Sequence, residues 1–320
     1  MFRVKFPIGL GGSLALSCAS AQSYPVKPIK IIVPYGTGGA PDILARSVGE
    51  KISEFSGQAV VVENRPGVAA LLGTTQVSKA PNDGYTILIG DTGPLCVAPN
   101  LKKKLGYDPE RDFVPVSNGV TSPLFIAVNA GLKVNSFRDL VALAKADPNL
   151  SYGSTGVGSV HHLGMELLLS MAGIRMLHIP YTSLNQSVPA LLNGDLTLLY
   201  AGYQALRPHV TAGKLRLLAV ATSTRAPFEP RVPTIAESGL PGYENRIDVG
   251  FLLPARASAD IVAKLNGWIG TALSNSQLQN RFMGAGMIAM PSTADAYARL
   301  LKSDREKFRR LSESVGITAE

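Results

Sequence analysis

The chain alternates between short apolar runs and longer stretches whose apolar positions recur at helical spacing. The first apolar run, Ile29–Pro34, is rich in β-branched residues. It is followed by Asp42–Phe55, in which Ile43, Leu44 and Val48 fall on one helical face. The alternation continues past the middle of the chain, and it is typical of an α/β fold with a mostly parallel sheet.

The same reading predicts elements along the rest of the chain. The further predicted strands are Ala59–Glu63, Tyr85–Ile89, Leu124–Val128, Leu150–Tyr152, Met176–Ile179, Leu196–Tyr200, Leu215–Thr222 and Val249–Leu253. The further predicted helices are Ala69–Ala80, Ser136–Lys145, His161–Met171, Asn185–Asn193, Ile261–Leu273, Gln277–Gly284 and Ala294–Ser314. Ser136 is a candidate N-cap.

A chain of 320 residues is long for one hydrophobic core and suits two lobes. We predict a first lobe that begins with residues 22–122, a second lobe over 123–245, and a return to the first lobe over 246–320. Two short segments, Ser117–Pro123 and Gly242–Val249, are the predicted crossovers.

The first 21 residues have the pattern of a secretory signal. Arg3 and Lys5 are followed by a short apolar run and by Ala19-Ser20-Ala21, which has the small residues of a cleavage site. We therefore predict a signal peptide over 1–21 and a periplasmic mature chain. Lipidation of Cys18 is the alternative.

Charge and cysteine content narrow the class of function. The net charge is +8, but the basic residues are scattered, whereas a nucleic-acid-binding protein concentrates them on one face. Cys96 is the only cysteine of the predicted mature chain, and we expect it to be a small buried apolar residue. The four His are not spaced as metal ligands. No nucleic acid, metal or cofactor is predicted.

Two glycine-rich segments share one design. Each follows a predicted strand and opens a helix: loop 1 is Tyr35 to Ala40, and loop 2 is Ser154 to Ser159. The start of a helix has unpaired N–H groups and a partial positive charge, so it holds anions without charged side chains. Glycine also allows a ligand to approach the backbone closely. One such loop in each half would clamp a small anion, although glycine at a turn is also common for geometry alone.

Three enzyme motifs are incomplete in these loops. A P-loop ends in Gly-Lys-Ser/Thr, but Ala40-Pro41 follows Gly39. The dinucleotide fingerprint lacks its third Gly because Pro41 stands there. A serine-hydrolase elbow has Gly two residues before the Ser, and Tyr152 occupies that position before Ser154.

Short motifs occur in a fixed order along nearly the whole predicted mature chain. They are Tyr24-Pro25, Pro34-Tyr35, Gly38-Gly39, Val62-Glu63-Asn64-Arg65-Pro66-Gly67, Asp83-Gly84-Tyr85-Thr86, Tyr107-Asp108-Pro109, Tyr152-Gly153-Ser154, Pro180-Tyr181, Ala212-Gly213-Lys214-Leu215-Arg216 and Val232-Pro233-Thr234. This series resembles the Bug (TctC-like) family, the extracytoplasmic receptors of tripartite tricarboxylate transporters.

The resemblance implies a two-lobed periplasmic-binding-protein fold (type II, Venus-flytrap) with a hinge between the lobes. It also implies a small carboxylate ligand: a di- or tricarboxylate, an acidic amino acid or an aromatic acid. In the family, backbone amides of two strand-to-helix loops hold the carboxylate, and these match loops 1 and 2 here. The predicted ligand-binding residues are Tyr35, Gly36, Thr37, Gly38, Gly39, Ala40, Asp91, Thr92, Ser154, Thr155, Gly156, Val157, Gly158, Ser159, Tyr181 and Ala201.

Several positions depart from the family's usual pattern. Asp91 stands where a small or hydroxyl residue is usual, and Ala201 where an acid is common. Elsewhere we expect Asp42 to support the start of its helix, and His161 and His162 to be partly exposed.

Three functions are compatible with these observations. The first is a monomeric receptor, not an enzyme, that delivers a carboxylate to the membrane components of a tripartite tricarboxylate transporter. The second is a periplasmic ligand-sensing subunit of a signalling system. The third is a hydrolase, which the missing nucleophile–base signature disfavours.

Overall fold

Ten strands form one mixed sheet in the computed structural model, which describes residues 24–67 and 70–317. The strands are β1 (Ile29–Val33), β2 (Val60–Asn64), β3 (Thr86–Asp91), β4 (Phe113–Asn129), β5 (Ser151–Ser154), β6 (Leu177–Pro180), β7 (Leu198–Gly202), β8 (Leu215–Val220), β9 (Arg246–Pro254) and β10 (Ile288–Ala289). The α-helices are α1 (Ala40–Ser56), α2 (Leu71–Ser78), α3 (Ala98–Leu101), α4 (Phe137–Ala146), α5 (Val160–Ala172), α6 (Leu184–Asn193), α7 (Tyr203–Thr211), α8 (Ala259–Leu273), α9 (Ser276–Gly284) and α10 (Ala294–Ser314). A π-helical turn covers Gly93–Val97.

The sheet has two halves with the same strand order. The first half-sheet runs β2-β1-β3-β9-β4, and the second runs β6-β5-β7-β4-β8. In each, one strand is antiparallel to both of its neighbours: β9 in the first and β4 in the second. The chain passes between the halves within β4, because residues 113–123 pair with β9 whereas residues 124–129 pair with β7 and β8.

Both glycine loops leave their sheets at equivalent places. Loop 1 connects the carboxyl end of β1 to α1, and loop 2 connects the carboxyl end of β5 to α5. In each half-sheet this strand lies between two parallel neighbours. Open α/β sheets bind ligands at the carboxyl ends of such strands. The fold therefore gives the two loops matching positions.

The structure confirms the α/β class and adds elements that the pattern did not predict. Residues 113–123 belong to β4, although the sequence suggested only a crossover near Ser117–Pro123. Helices α3 and α7 and strand β10 were also missed. The proposed lobe boundaries, near residues 122 and 245, stay a prediction.

Buried apolar side chains cover both faces of the sheet. Ile32, Leu88 and Leu252 pack on one face, and Ile31, Ile89 and Phe251 on the other. Cys96 is buried as predicted. Within the described ranges, no helix is both long enough and apolar enough to cross a membrane. The predicted signal peptide and Cys18 lie outside these ranges.

One helix start confirms its predicted cap. The Ser136 hydroxyl accepts a hydrogen bond from the Asp139 N–H at 3.1 Å, and the Asp139 carboxylate accepts one from the Ser136 N–H at 3.0 Å. This reciprocal capping box satisfies two donors that the helix itself cannot pair. It fixes the residue at which α4 begins.

Candidate functional site

Loop 1 exposes backbone at the start of a helix. Gly36, Thr37 and Gly38 are exposed, and Gly38 has φ +84°. Gly39 is the N-cap of α1, where no side chain caps the helix. The N–H groups of residues 36, 37, 39 and 40 have no hydrogen-bond acceptor among the described residues. An anion at this position would meet several donors and the positive end of the α1 dipole.

Asp42 is buried and stabilises loop 1 through hydrogen bonds. Its carboxylate accepts hydrogen bonds from the Gly38 N–H at 3.0 Å, Arg46 Nε at 3.0 Å and Asn64 Nδ2 at 2.9 Å. Burial alone would raise the pKa of Asp42, but the bonds from Arg46, Gly38 and Asn64 hold it below its ordinary value. Asp42 is therefore structural, as expected, and the Gly38 amide is already in use.

Replacing Asp42 by Ala should destabilise the protein. The change leaves the Gly38 N–H without its acceptor and Arg46 without its charged partner, at a cost of about 1–3 kcal/mol. Urea unfolding measures this loss. Glu54→Gln is the matched control in the same helix, because Glu54 pairs with Lys51 on the surface and its loss should cost less than about 0.5 kcal/mol. Equal effects of the two variants would show that Asp42 does not support the loop.

Asp91 and Tyr35 meet beside loop 1. Asp91 ends β3 and is 8 % exposed, and its Oδ1 accepts a hydrogen bond from the Gly93 N–H at 2.9 Å. The Tyr35 hydroxyl adjoins this carboxylate, which raises the pKa of Tyr35 beyond the effect of burial. Burial raises the pKa of Asp91 to about 6, while Tyr35 and Gly93 oppose the rise. Two predicted ligand-binding residues, one in loop 1 and one at the end of β3, thus come together.

Thr92 lies at the junction of the two half-sheets and is also buried. Its hydroxyl accepts a hydrogen bond from the Asp248 N–H at 2.9 Å. Asp248 in turn accepts bonds from the Thr121 hydroxyl and from Arg246 Nε. The Thr92 side chain therefore ties β3 to the crossing strand β9.

Loop 2 is more enclosed than loop 1. Ser154 is fully buried, whereas Val157 at the tip is 68 % exposed. Gly156 and Gly158 have φ values of +116° and +72°, which favour glycine. Ser159 caps α5 by accepting a hydrogen bond from the His162 N–H at 3.1 Å. The backbone of loop 2 thus leads directly into the first turn of α5.

Three histidines make hydrogen-bond contacts with loop 2. His161 Nδ1 lies 2.9 Å from the Thr155 hydroxyl, His178 Nε2 lies 2.7 Å from the Ser154 hydroxyl, and His162 Nδ1 accepts a bond from the Gly158 N–H at 3.0 Å. The rings of His162 and His178 stack with centroids 3.9 Å apart. The expected exposure of His161 and His162 was wrong, because each is less than 9 % exposed and bonded to the loop.

Because these histidines are packed against loop 2, we expect the folded state to lose stability in acid. Burial lowers the pKa of His161 to about 4, so that above pH 6.5 the neutral ring stabilises the folded state. That contribution is lost as the pH falls from about 6.5 to 4, and at full size it is about 3 kcal/mol. Wild type should therefore lose more unfolding free energy than His161→Asn over this range, measured by urea unfolding at several pH values. Parallel pH profiles would contradict the assignment.

The Ser154–His178 contact does not form a nucleophile–base pair of a hydrolase. The Ser154 hydroxyl is inaccessible and also bonds the carbonyl and the N–H of Gly156, at 3.1 and 3.0 Å. Its hydrogen-bonding capacity is used inside the loop. The pair therefore serves to shape loop 2.

The remaining predicted positions lie at different depths. Tyr181 follows β6, is partly buried, and places its carbonyl 3.8 Å from the position that a Cβ on Gly156 would occupy. Ala201 in β7 is fully buried, and its side chain packs with Phe125 and Leu199. The structure therefore brings Tyr181 close to loop 2 and keeps the Ala201 side chain in the core.

Leu101, on α3, contacts loop 2 and was not among the predicted residues. A Cβ built on Gly158 would lie 2.5 Å from Leu101 Cδ1. Helix α3 adjoins the π-helical turn after β3, so this contact joins the two halves of the fold. The isolated sequence offers no periodicity that would have identified it. Among the described residues, no three His, Cys, Asp or Glu side chains are grouped as metal ligands.

Comparisons with known proteins identify the family of this chain. Residues 44–317 match the tripartite tricarboxylate transporter family receptor, TctC. A UPF0065 protein from the tcbD–tcbE intergenic region of Pseudomonas sp. is 34 % identical over 316 residues, which cover 97 % of this chain and 94 % of that protein. Among solved structures, Rpa4515 of R. palustris with adipate has a TM-score of 0.85 at 30 % identity, covering 93 % of this chain and 100 % of that one.

A second solved relative is MatC of Rhodopseudomonas palustris with bound malate. It has a TM-score of 0.79 at 26 % identity and covers 90 % of this chain and 99 % of that one. These likenesses confirm the two-lobed solute-binding fold that the sequence motifs implied. The chain belongs to the TctC (Bug) family of solute-binding receptors of tripartite tricarboxylate transporters.

Proposed function

We propose that this protein captures a small carboxylate between its two lobes in the periplasm and delivers it to the membrane components of a tripartite tricarboxylate transporter. The observation that carries the proposal is the pair of glycine loops, each at the carboxyl end of an equivalent strand and each opening a helix. Backbone N–H groups at both helix starts would hold one carboxylate. Two relatives were solved with adipate and malate, which supports this ligand class.

In this proposal the protein binds its ligand and does not catalyse a reaction. Among the described residues near the loops, the one contact between a Ser hydroxyl and a His ring is Ser154–His178, in which Ser154 is buried and also bonded to Gly156 within loop 2. Closure of the two lobes over the ligand is then the functional event, because a carboxylate held from both sides binds the closed form better than the open one. We expect a monomeric receptor, with lobes over 22–122 plus 246–320 and over 123–245.

Comparison of acids with their neutral derivatives tests the carboxylate clamp. Malate, adipate and related acids should bind measurably in isothermal titration calorimetry. The methyl ester or amide of the best acid should bind at least about a hundredfold more weakly, because charge-assisted hydrogen bonds contribute about 1.5–3 kcal/mol each. Equal binding of acid and ester would disprove the clamp.

A genetic experiment separates the transport receptor from a sensing subunit. Deletion of the gene should abolish uptake of the radiolabelled ligand while leaving ligand-induced transcription unchanged. Restoring the gene should restore uptake. The opposite pattern, with intact uptake and lost induction, would assign the protein to signalling.

A further inference from the structure

Asp91 is a buried carboxylate that has no cationic partner among the described residues. Its hydrogen-bond donor is the Gly93 N–H, and the group beside it is the Tyr35 hydroxyl. None of the ion pairs between described residues includes Asp91, whereas the buried Asp42 and Asp248 each bond an arginine. A buried charge without such compensation is costly, and proteins keep one mainly where function requires it.

The position of Asp91 points to the ligand. It ends β3, whose carboxyl end lies beside that of β1 and hence beside loop 1. Tyr35 belongs to loop 1, and its hydroxyl approaches the same carboxylate. A ligand whose carboxylate lay on loop 1 would therefore have its remaining atoms close to Asp91.

The charges around Asp91 disfavour a second carboxylate on the ligand. The predicted ligand-binding residues include no Lys, Arg or His. A second carboxylate placed near Asp91 would meet a like charge and no cation. A hydroxyl or an ammonium group would instead donate a hydrogen bond to the Asp91 carboxylate.

We propose that Asp91, positioned by Tyr35, receives a hydrogen-bond donor on the ligand, so that the preferred ligand is a hydroxy- or amino-substituted monocarboxylate. This inference rests on the proposed carboxylate clamp and names the substrate class for the same site. It separates this chain from relatives solved with dicarboxylates.

A matched series of acids tests the inference with the full-length mature protein. For each chain length from about three to six carbons, calorimetry compares the plain acid, the ω-hydroxy acid, the ω-amino acid and the dicarboxylate. The hydroxy or amino acid should bind about tenfold or more tighter than the dicarboxylate of equal length. Asp91→Asn should remove this preference and Tyr35→Phe should weaken it, and thermal melts of the empty variants check that both fold.

The pH dependence gives a second readout. Between pH 5.5 and 7.5 the affinity for the ω-amino acid should rise, because ionised Asp91 holds the ammonium, and the affinity for the dicarboxylate should fall. The Asp91 charge raises the pKa of four neighbouring groups, Tyr35, Cys96, Tyr107 and Tyr297, and none of these titrates in this window. Asp91→Asn should flatten both slopes.

Another aspartate, Asp304, is partly buried and provides a control for these pH effects. Burial raises the pKa of Asp304 to about 6, and Asp304→Asn should leave both slopes unchanged, since Asp304 is not among the groups that shift the pKa of Asp91. If dicarboxylates bind best in both wild type and Asp91→Asn, the inference fails while the carboxylate clamp stands. If no acid in the series binds, the clamp fails and the inference with it.

Discussion

Valine at position 38 or 156 should abolish ligand binding while the protein still folds. Both glycines have positive φ, +84° and +116°, which a β-branched residue resists. A Cβ on Gly38 would meet no atom within 4 Å, and one on Gly156 would approach only the Tyr181 carbonyl, at 3.8 Å. The substituent therefore projects into the space where the clamp would hold its anion, and it distorts the backbone whose amides bind it.

Two further glycines provide matched controls for these substitutions. Gly57 and Gly173 end α1 and α5, the same helices that loops 1 and 2 begin, with φ +67° and +62° and open space around a Cβ. Valine at either position carries comparable strain, of about 1–3 kcal/mol, but lies far from the loops. Calorimetry should show normal binding by Gly57→Val and Gly173→Val and none by the loop variants.

A comparison of ligand binding by the two loop variants also tests whether both lobes contact the ligand. Small-angle scattering should show wild type contracting when the best-binding acid is added, and the two loop variants remaining extended. Normal binding by Gly156→Val together with lost binding by Gly38→Val would place the site in one lobe. Equal loss in all four variants would indicate a general effect of strain.

Alanine at position 250 should strongly destabilise the fold. Gly250 lies in β9, opposite Gly90 of β3 and Asn118 of β4. A Cβ there would lie 2.6 Å from the Ser117 carbonyl oxygen and 2.6 Å from Tyr297 Cζ. The first contact is with backbone and the second with a fully buried ring, so neither moves easily. We expect a loss of about 2–3 kcal/mol in urea unfolding.

The control for Gly250→Ala should change stability in the opposite direction. Gly267 is exposed within α8, and a Cβ there meets nothing within 4 Å. Because glycine disfavours a helix interior, Gly267→Ala should stabilise the protein by about 0.5–1 kcal/mol. If both substitutions stabilised the protein, the tight packing of α10 against β9 would be wrong.

The sequence predicted the parts of the fold whose pattern is local. Strands such as β1 are rich in β-branched residues, and α4 begins after a serine that is followed three residues later by an acid. The first part of β4 was missed because Pro115 and Gly119 interrupt its alternation. The structure accommodates both residues with register shifts, between Pro115 and Ser117 and between Asn118 and Val120. Such β-bulges depend on the neighbouring strand and leave little local signal.

The two loops of the candidate site were predictable from the sequence. The residues that contact these loops were much less predictable. Glycine spacing after a strand marks loops 1 and 2 directly. Burial of His161 and His162 depends on Thr155 and Gly158 supplying hydrogen bonds once the loop has folded, and a sequence pattern does not show such pairing. The Leu101 contact with Gly158 joins residues 57 positions apart in two halves of the fold, so tertiary structure alone reveals it.

The exchange of β4 and β9 between the half-sheets bears on how the chain is made. Each half-sheet contains a strand that arrives from the other half, so β3 has no partner on one side until the chain has been completed past residue 246. A truncated product ending before Arg246 would present a long open edge suited to aggregation. Neither lobe is expected to be obtainable as a separate stable fragment. For the exported chain proposed above, this topology delays completion of the first sheet until most of the polypeptide has been released, which favours folding after translocation over folding before it.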